Sequence, residues 1–115
     1  MVKDKVYPIN DIFIKDIPSM NSLLRALQLN RAIKQKFDIS NSEVEILLYV
    51  SSKDEPSPLE SIKTHVSYLT GESFSKIMSR LVRNGLIVKD FDDSIGSVTY
   101  EISAAAMSIL KSITL

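Results

Sequence analysis

The sequence predicts an α+β fold that is mainly helical, and three features of one stretch carry that expectation. Residues 58–102 read PLESIKTHVSYLTGESFSKIMSRLVRNGLIVKDFDDSIGSVTYEI. Two apolar stripes of helical period come first, separated by a short turn that contains Gly71. Directly after Gly85 the pattern switches to an alternation of period two. Two short helices, a tight turn and a β-hairpin, in that order, make a winged helix-turn-helix with a two-stranded β-wing. Extra helices are expected at the N-terminal and C-terminal ends.

Length and composition fit a single domain over residues 1–115, since 115 residues with 44% hydrophobic content give one modest core. Within it, residues 1–37 read as an N-terminal arm and helix expected to dimerise. Residues 38–103 read as the winged helix-turn-helix core, and residues 104–115 as a closing helix. With no cysteine there is neither a disulfide framework nor a thiolate metal site. No apolar run approaches the roughly 18 residues of a membrane span, and the first residues, MVKDKVYPIND, lack a signal-peptide core. A cytoplasmic protein without membrane contact is the expectation.

In chain order, residues 1–18 hold the apolar groups Tyr7-Pro8-Ile9 and Ile12-Phe13-Ile14, and Pro18 stops any helix running through it. An extended arm or a short helix from Asn10 to Asp16 fits, with its apolar side chains covered by a second subunit or by the same one. A long helix follows from Ser19 to about Lys36. Met20, Leu23, Leu24, Ala26 and Leu27 form its stripe, continued by Ala32, Ile33 and Phe37, while Leu29 falls outside it. Ser40 with Glu43, or Ser42 with Glu45, offers a capping box. The next helix, Glu43 to about Ser52, is apolar nearly all round and is expected to be the central core helix. KDEPSP is a polar connection.

The first helix of the pair is expected to start with Ser57 as cap, Pro58 at its first position and Glu60 closing a capping box. Its buried stripe is Leu59, Ile62, Val66 and Leu69. The second helix, residues 72–84, has Thr70 as N-cap and Gly85 as its stop. Phe74, Ile77, Met78 and Leu81 recur at i, i+3, i+4, i+7 and define its buried face. In the wing, Val98, Tyr100 and Ile102 alternate with Ser97, Thr99 and Glu101, opposite a strand through Ile87, Val88, Lys89 and Phe91. Asp92-Asp93-Ser94-Ile95-Gly96 makes the turn. Ser103 can cap a last helix with the stripe Met107, Leu110 and Ile113.

The candidate contact residues lie opposite the buried face of helix 72–84. At about 100° per residue, Glu72, Lys76, Ser79 and Arg83 share one stripe, with Ser75 and Arg80 on its shoulders. Short or basic side chains of this kind suit base edges and phosphates. Ser73, Ser75, Lys76 and Ser79 in the N-terminal half are expected at base edges, Arg80 and Arg83 at phosphates. Thr70 at the turn, Lys89 on the first wing strand and Ser94 in the wing loop complete the set. A formal net charge of zero hides an uneven distribution. Residues 59–89 hold Lys63, Lys76, Arg80, Arg83 and Lys89 against Glu60 and Glu72, whereas residues 90–115 hold Lys111 against Asp90, Asp92, Asp93 and Glu101. A basic contact surface on a neutral chain implies salt-sensitive binding.

Enzyme chemistry has no support. His65 is the single histidine and reads as a surface residue, with no partner for a metal site or a His-based triad. There is no phosphate-binding glycine loop and no dinucleotide fingerprint. Asp90, Asp92 and Asp93 lack calcium-loop spacing. No cofactor or metal is expected.

From Phe37 to Ser103 the chain resembles the MarR-type winged-helix regulators, including their staphylococcal SarA-like branch. FDISNSEVEILLYV at 37–50, FSKIMSRLVRNGLIVKD at 74–90 and VTYEIS at 98–103 carry the likeness. The resemblance implies a homodimeric DNA-binding transcription regulator, with the second helix in the major groove of double-stranded DNA and the wing along the backbone or in the minor groove. A small-molecule effector at the dimer interface is a further property of such proteins for which no residue here speaks. Where the family usually carries Asp-x-Arg or Asp-Glu-Arg in the wing, this chain reads Asp92-Asp93-Ser94. The helix is therefore expected to carry a larger share of the affinity. The acidic wing and zero net charge favour an alternative function, a winged-helix protein–protein interaction module without DNA binding.

Overall fold

A computed structural model describes residues 20–114. The elements are α1 (Met20–Phe37), α2 (Asn41–Ser51), β1 (Ser57–Pro58), α3 (Leu59–His65), α4 (Gly71–Arg83), β2 (Ile87–Asp92), β3 (Ser97–Ile102) and α5 (Ala104–Thr114). The expected arm, with its apolar residues from Tyr7 to Ile14, lies outside the described residues.

Local chemistry sets the helix ends. Ser40 caps α2: its Oγ accepts from the Glu43 amide, and Glu43 Oε1 accepts from the Ser40 amide at 2.9 Å. Of the two expected capping boxes this is the one that forms, so α2 starts at Asn41, two residues early. Thr70 Oγ1 accepts from the Ser73 amide at 3.1 Å and opens α4, and Ser103 Oγ accepts from the Ala106 amide and opens α5. Two helices end alike. Gly85 (φ 74) follows α4 in the left-handed region, and the Leu86 amide reaches back to the Leu81 carbonyl. Asp38 (φ 56) follows α1, and the Ile39 amide reaches the Lys34 carbonyl. Each is a Schellman closure, and the aspartate occupies a position where glycine is the usual choice.

The start of α3 differs from expectation. Ser57 and Pro58 form a short strand, with Ser57 opposite Tyr100 and Pro58 opposite Thr99. Pro58 is then the N-cap of α3 and contributes no side-chain bond, so the Ser57–Glu60 capping box is absent. Pairing with β3 outcompetes the local cap, and Ser57 is buried. Among the described residues the sheet is consequently three-stranded, in the order β1-β3-β2, with the expected hairpin as two of its strands. An edge strand tolerates Pro58 because its missing N–H costs no ladder bond. β3 is the middle strand and packs against α2 and α3. Thr99 is accordingly buried alongside Tyr100, which breaks the expected inward-outward alternation.

The core forms where α2, α3 and α4 meet the sheet. Ile46, Leu47, Ile62 and Leu81 are fully enclosed. The expected central role of α2 holds, although Leu48 is exposed. In α5, Ala106 and Leu110 are the buried pair, while Met107 and Ile113 are half-buried. The stripe of α1 behaves differently from expectation: among its residues only Ile33 is buried, and Met20, Leu24 and Leu27 are 74%, 54% and 48% exposed. A helix of 18 residues spans about 27 Å and outruns the core that the described residues offer it.

Candidate nucleic-acid interface

Helix α4 is the element around which the site is built. Phe74, Ile77, Met78 and Leu81 are buried as the spacing predicts. Burying four such side chains, each favoured by about 1.5–3 kcal/mol, fixes the rotation of the helix. That rotation turns Glu72, Ser73, Ser75, Lys76, Ser79, Arg80 and Arg83 outward, and all are exposed.

The exposed residues divide into three groups. On the outermost stripe, Lys76 Nζ lies 3.5 Å from Glu72 Oε2 in a solvent-exposed i,i+4 pair. Such a pair contributes little to stability, so Lys76 can exchange it for another anion at small cost. From the outer stripe toward the wing-side flank, Arg83, Ser79 and Ser75 line a groove of about 450 Å³ together with Lys89 of β2 and Lys63 of α3. Among the described residues its lining includes three cations and no carboxylate. Lys63 was not among the expected contact residues. It lies on the helix before α4, and only the folded helix pair brings it next to Arg83.

Arg80 is on the other flank, about 140° around the helix from Ser75. Its Nε donates to Glu43 Oε2 at 2.8 Å. Arg80, expected at a phosphate, is thus also tied to α2. Glu43 is 2% exposed. Burial pushes its carboxyl pKa upward, but the bonds from Arg80, the Ser40 amide and the Ser40 hydroxyl, with the Arg80 charge, outweigh this and hold it below the ordinary value. The bond to Glu43 and its charge in turn raise Arg80.

A second carboxylate of α2 grips the other arm of the motif. Tyr68, in the turn, donates its hydroxyl to Glu45 Oε1 at 2.6 Å, and this bond to the neutral phenol raises the Tyr68 pKa. His65 Nε2 lies 3.3 Å from Glu45 Oε2, and its ring stacks on Tyr49 with centroids 4.4 Å apart. His65 is thus exposed, as expected, and also packed.

The wing separates Lys89 from Ser94. Lys89, Phe91, Val98 and Tyr100 share one face of the hairpin by register, and Lys89 reaches the groove. Ser94 sits at the tip, outside the groove lining. Its amide and hydroxyl both donate to Asp92 Oδ1, at 2.9 and 2.6 Å. These two bonds hold the Asp92 carboxyl below its usual range. Around them Asp90, Asp93, Phe91 and Ile95 are exposed, so the tip is acidic and apolar. Thr70 lies at the turn, its hydroxyl engaged as cap.

Fold and site together define a winged helix-turn-helix, and its structural neighbours are of that class. No family model and no curated protein matches the sequence. S. aureus MepR, solved as a complex with DNA, is 19% identical over 81% of this chain and 80% of its own, with a TM-score of 0.64. MarR is 16% identical over 85% of this chain and 74% of its own, with a TM-score of 0.60. AbfR of Staphylococcus epidermidis is 16% identical over 91% of this chain and 69% of its own, with a TM-score of 0.61. The chain has the fold of the MarR-type regulators. No helix among the described residues is long and apolar enough to cross a membrane.

Proposed function

We propose that this chain is a DNA-binding transcription regulator, working as a homodimer that inserts α4 into the major groove of duplex DNA. The observation that carries the reading is the groove beside α4, where Lys63, Arg83 and Lys89 converge with no carboxylate among the described lining residues. Three cations around one concave surface match a phosphate backbone, and the Ser and Lys side chains of the N-terminal half of α4 match base edges. Structures of MepR and AbfR bound to DNA support the reading by likeness of fold. The exposed Met20, Leu24 and Leu27 of α1 supply apolar area for a second copy. In such a dimer the two reading helices fall about 34 Å apart and call for a palindromic site. No cofactor enters this reading, and the chain acts by binding, without catalysis.

Titration of the protein with random duplex DNA at two salt concentrations tests it. Affinity should fall steeply with salt, by close to one unit of log-log slope per phosphate neutralised. Selection from a random pool should return a site with two-fold symmetry. Absence of binding at low salt would sink the reading and leave a protein–protein module.

A further inference from the structure

We propose that Glu43 is a positioning residue for DNA: it holds the Arg80 guanidinium rigidly at the α2 side of α4, so that Arg80 grips a backbone phosphate on the strand opposite the one held by the wing-side cations. The inference rests on the DNA-binding reading above and assigns a task to a residue outside the reading helix.

Glu43 uses both of its oxygens. Oε1 accepts from the Ser40 amide, and Oε2 accepts from Arg80 Nε. One carboxylate thereby welds the first turn of α2 to the last turn of α4, across 37 positions of sequence. A guanidinium carries five N–H donors in a planar fork. The bond to Glu43 occupies the Nε edge and leaves the terminal nitrogens, on a side chain that is 46% exposed. The carboxylate is almost wholly enclosed, so an approaching phosphate meets the guanidinium and not the acid. Arg80 is on the flank of α4 away from Lys63 and Lys89, which belong to the groove on the Ser75 side, while Arg83, about 60° around the helix from Arg80, is on the outer stripe between them. A helix seated in a major groove about 12 Å wide has a phosphate strand along each flank. Arg80 faces one strand, and Lys63 and Lys89 face the other. Because Glu43 orders the long Arg80 side chain in the free protein, binding loses less side-chain freedom.

A double-mutant cycle on the full chain tests this, with the selected duplex as probe and melting temperature followed in parallel. Arg80→Ala should weaken binding and lower the salt slope by about one. Arg80→Lys should keep the slope but weaken binding, because an ammonium lacks the Nε edge. Glu43→Gln should weaken binding on the order of five- to tenfold, the size of one ordinary net hydrogen bond. In an Arg80→Ala background, Glu43→Gln should change nothing further. An equal loss in both backgrounds would mean that Glu43 acts only through folding, and would overturn the proposal. Unchanged or tighter binding by Glu43→Gln would overturn it too, as would an unaltered salt slope in Arg80→Ala. A parent chain that does not bind DNA defeats both this inference and the functional reading. A parent that binds while the cycle is additive defeats this one alone.

Discussion

At the scale of single residues, two side chains stand where their chemistry is expensive, and both can be tested. Glu43 is a nearly enclosed carboxylate whose partners hold its pKa below the ordinary 4.5. A depressed folded-state pKa gives stability that is complete above the ordinary value and is lost as pH falls through the folded one. The melting-temperature gap between the parent and Glu43→Gln should therefore be constant above about pH 5 and close as the pH is lowered beyond about 4.5. A gap that did not narrow at all as the pH fell below about 4.5 would show that the charge is not what matters. Asp38 is the other case. Its φ of 56° lies in the region that disfavours side chains by roughly 1–2 kcal/mol, least so for Asn and Asp. Asp38→Gly should leave stability equal or slightly higher, and Asp38→Val should lower it by about 1–2 kcal/mol, both read by denaturant titration.

At the scale of elements, α4 makes the sharpest demand. Lys76 is on the outermost stripe with only an exposed ion pair to lose, and Arg83 lines the groove. Lys76→Ala should cost about 1–3 kcal/mol on the preferred DNA site and relax sequence preference. Arg83→Ala should weaken binding to all sequences alike and flatten the salt dependence by about one unit. Melting temperatures should barely move, because exposed substitutions usually fall within about 0.5 kcal/mol. Filter binding on selected and scrambled duplexes separates the two behaviours. This helix was legible in the sequence because everything that defines it is local: the Thr70 cap, the four-residue apolar stripe and the Gly85 stop. The strand β1 was not legible, because Ser57-Pro58 carries a good local cap signal and pairs with β3 only through tertiary structure. The Arg80–Glu43 tie was hidden for the same reason. A carboxylate 37 positions away gives no periodic sign that it will be buried against α4. Lys63 was overlooked because its neighbours in space, Arg83 and Lys89, are remote in sequence.

At the scale of the whole molecule, α1 leaves an apolar surface that the described residues of one chain do not cover. Sequence periodicity found the stripe, but periodicity cannot distinguish a face packed within one chain from a face offered to another. If Leu24 and Leu27 form part of a dimer contact, Leu24→Asp with Leu27→Asp should shift sedimentation from dimer to monomer at tens of micromolar. The same change should abolish cooperative binding to a two-fold symmetric site while leaving weak half-site binding. A parent that sediments as a monomer would remove the premise. The sheet order has a consequence of another kind. With β3 in the middle, β2 is an edge strand of six residues, and Val88 and Phe91 on it are exposed. An edge of that length with apolar side chains is a template on which strands of other molecules can add. Asp90 and Asp92 interrupt it with charge. The acidity that weakens the wing as a phosphate contact thus guards against aggregation, and replacing both aspartates by asparagine to tighten DNA binding would trade away solubility at high concentration.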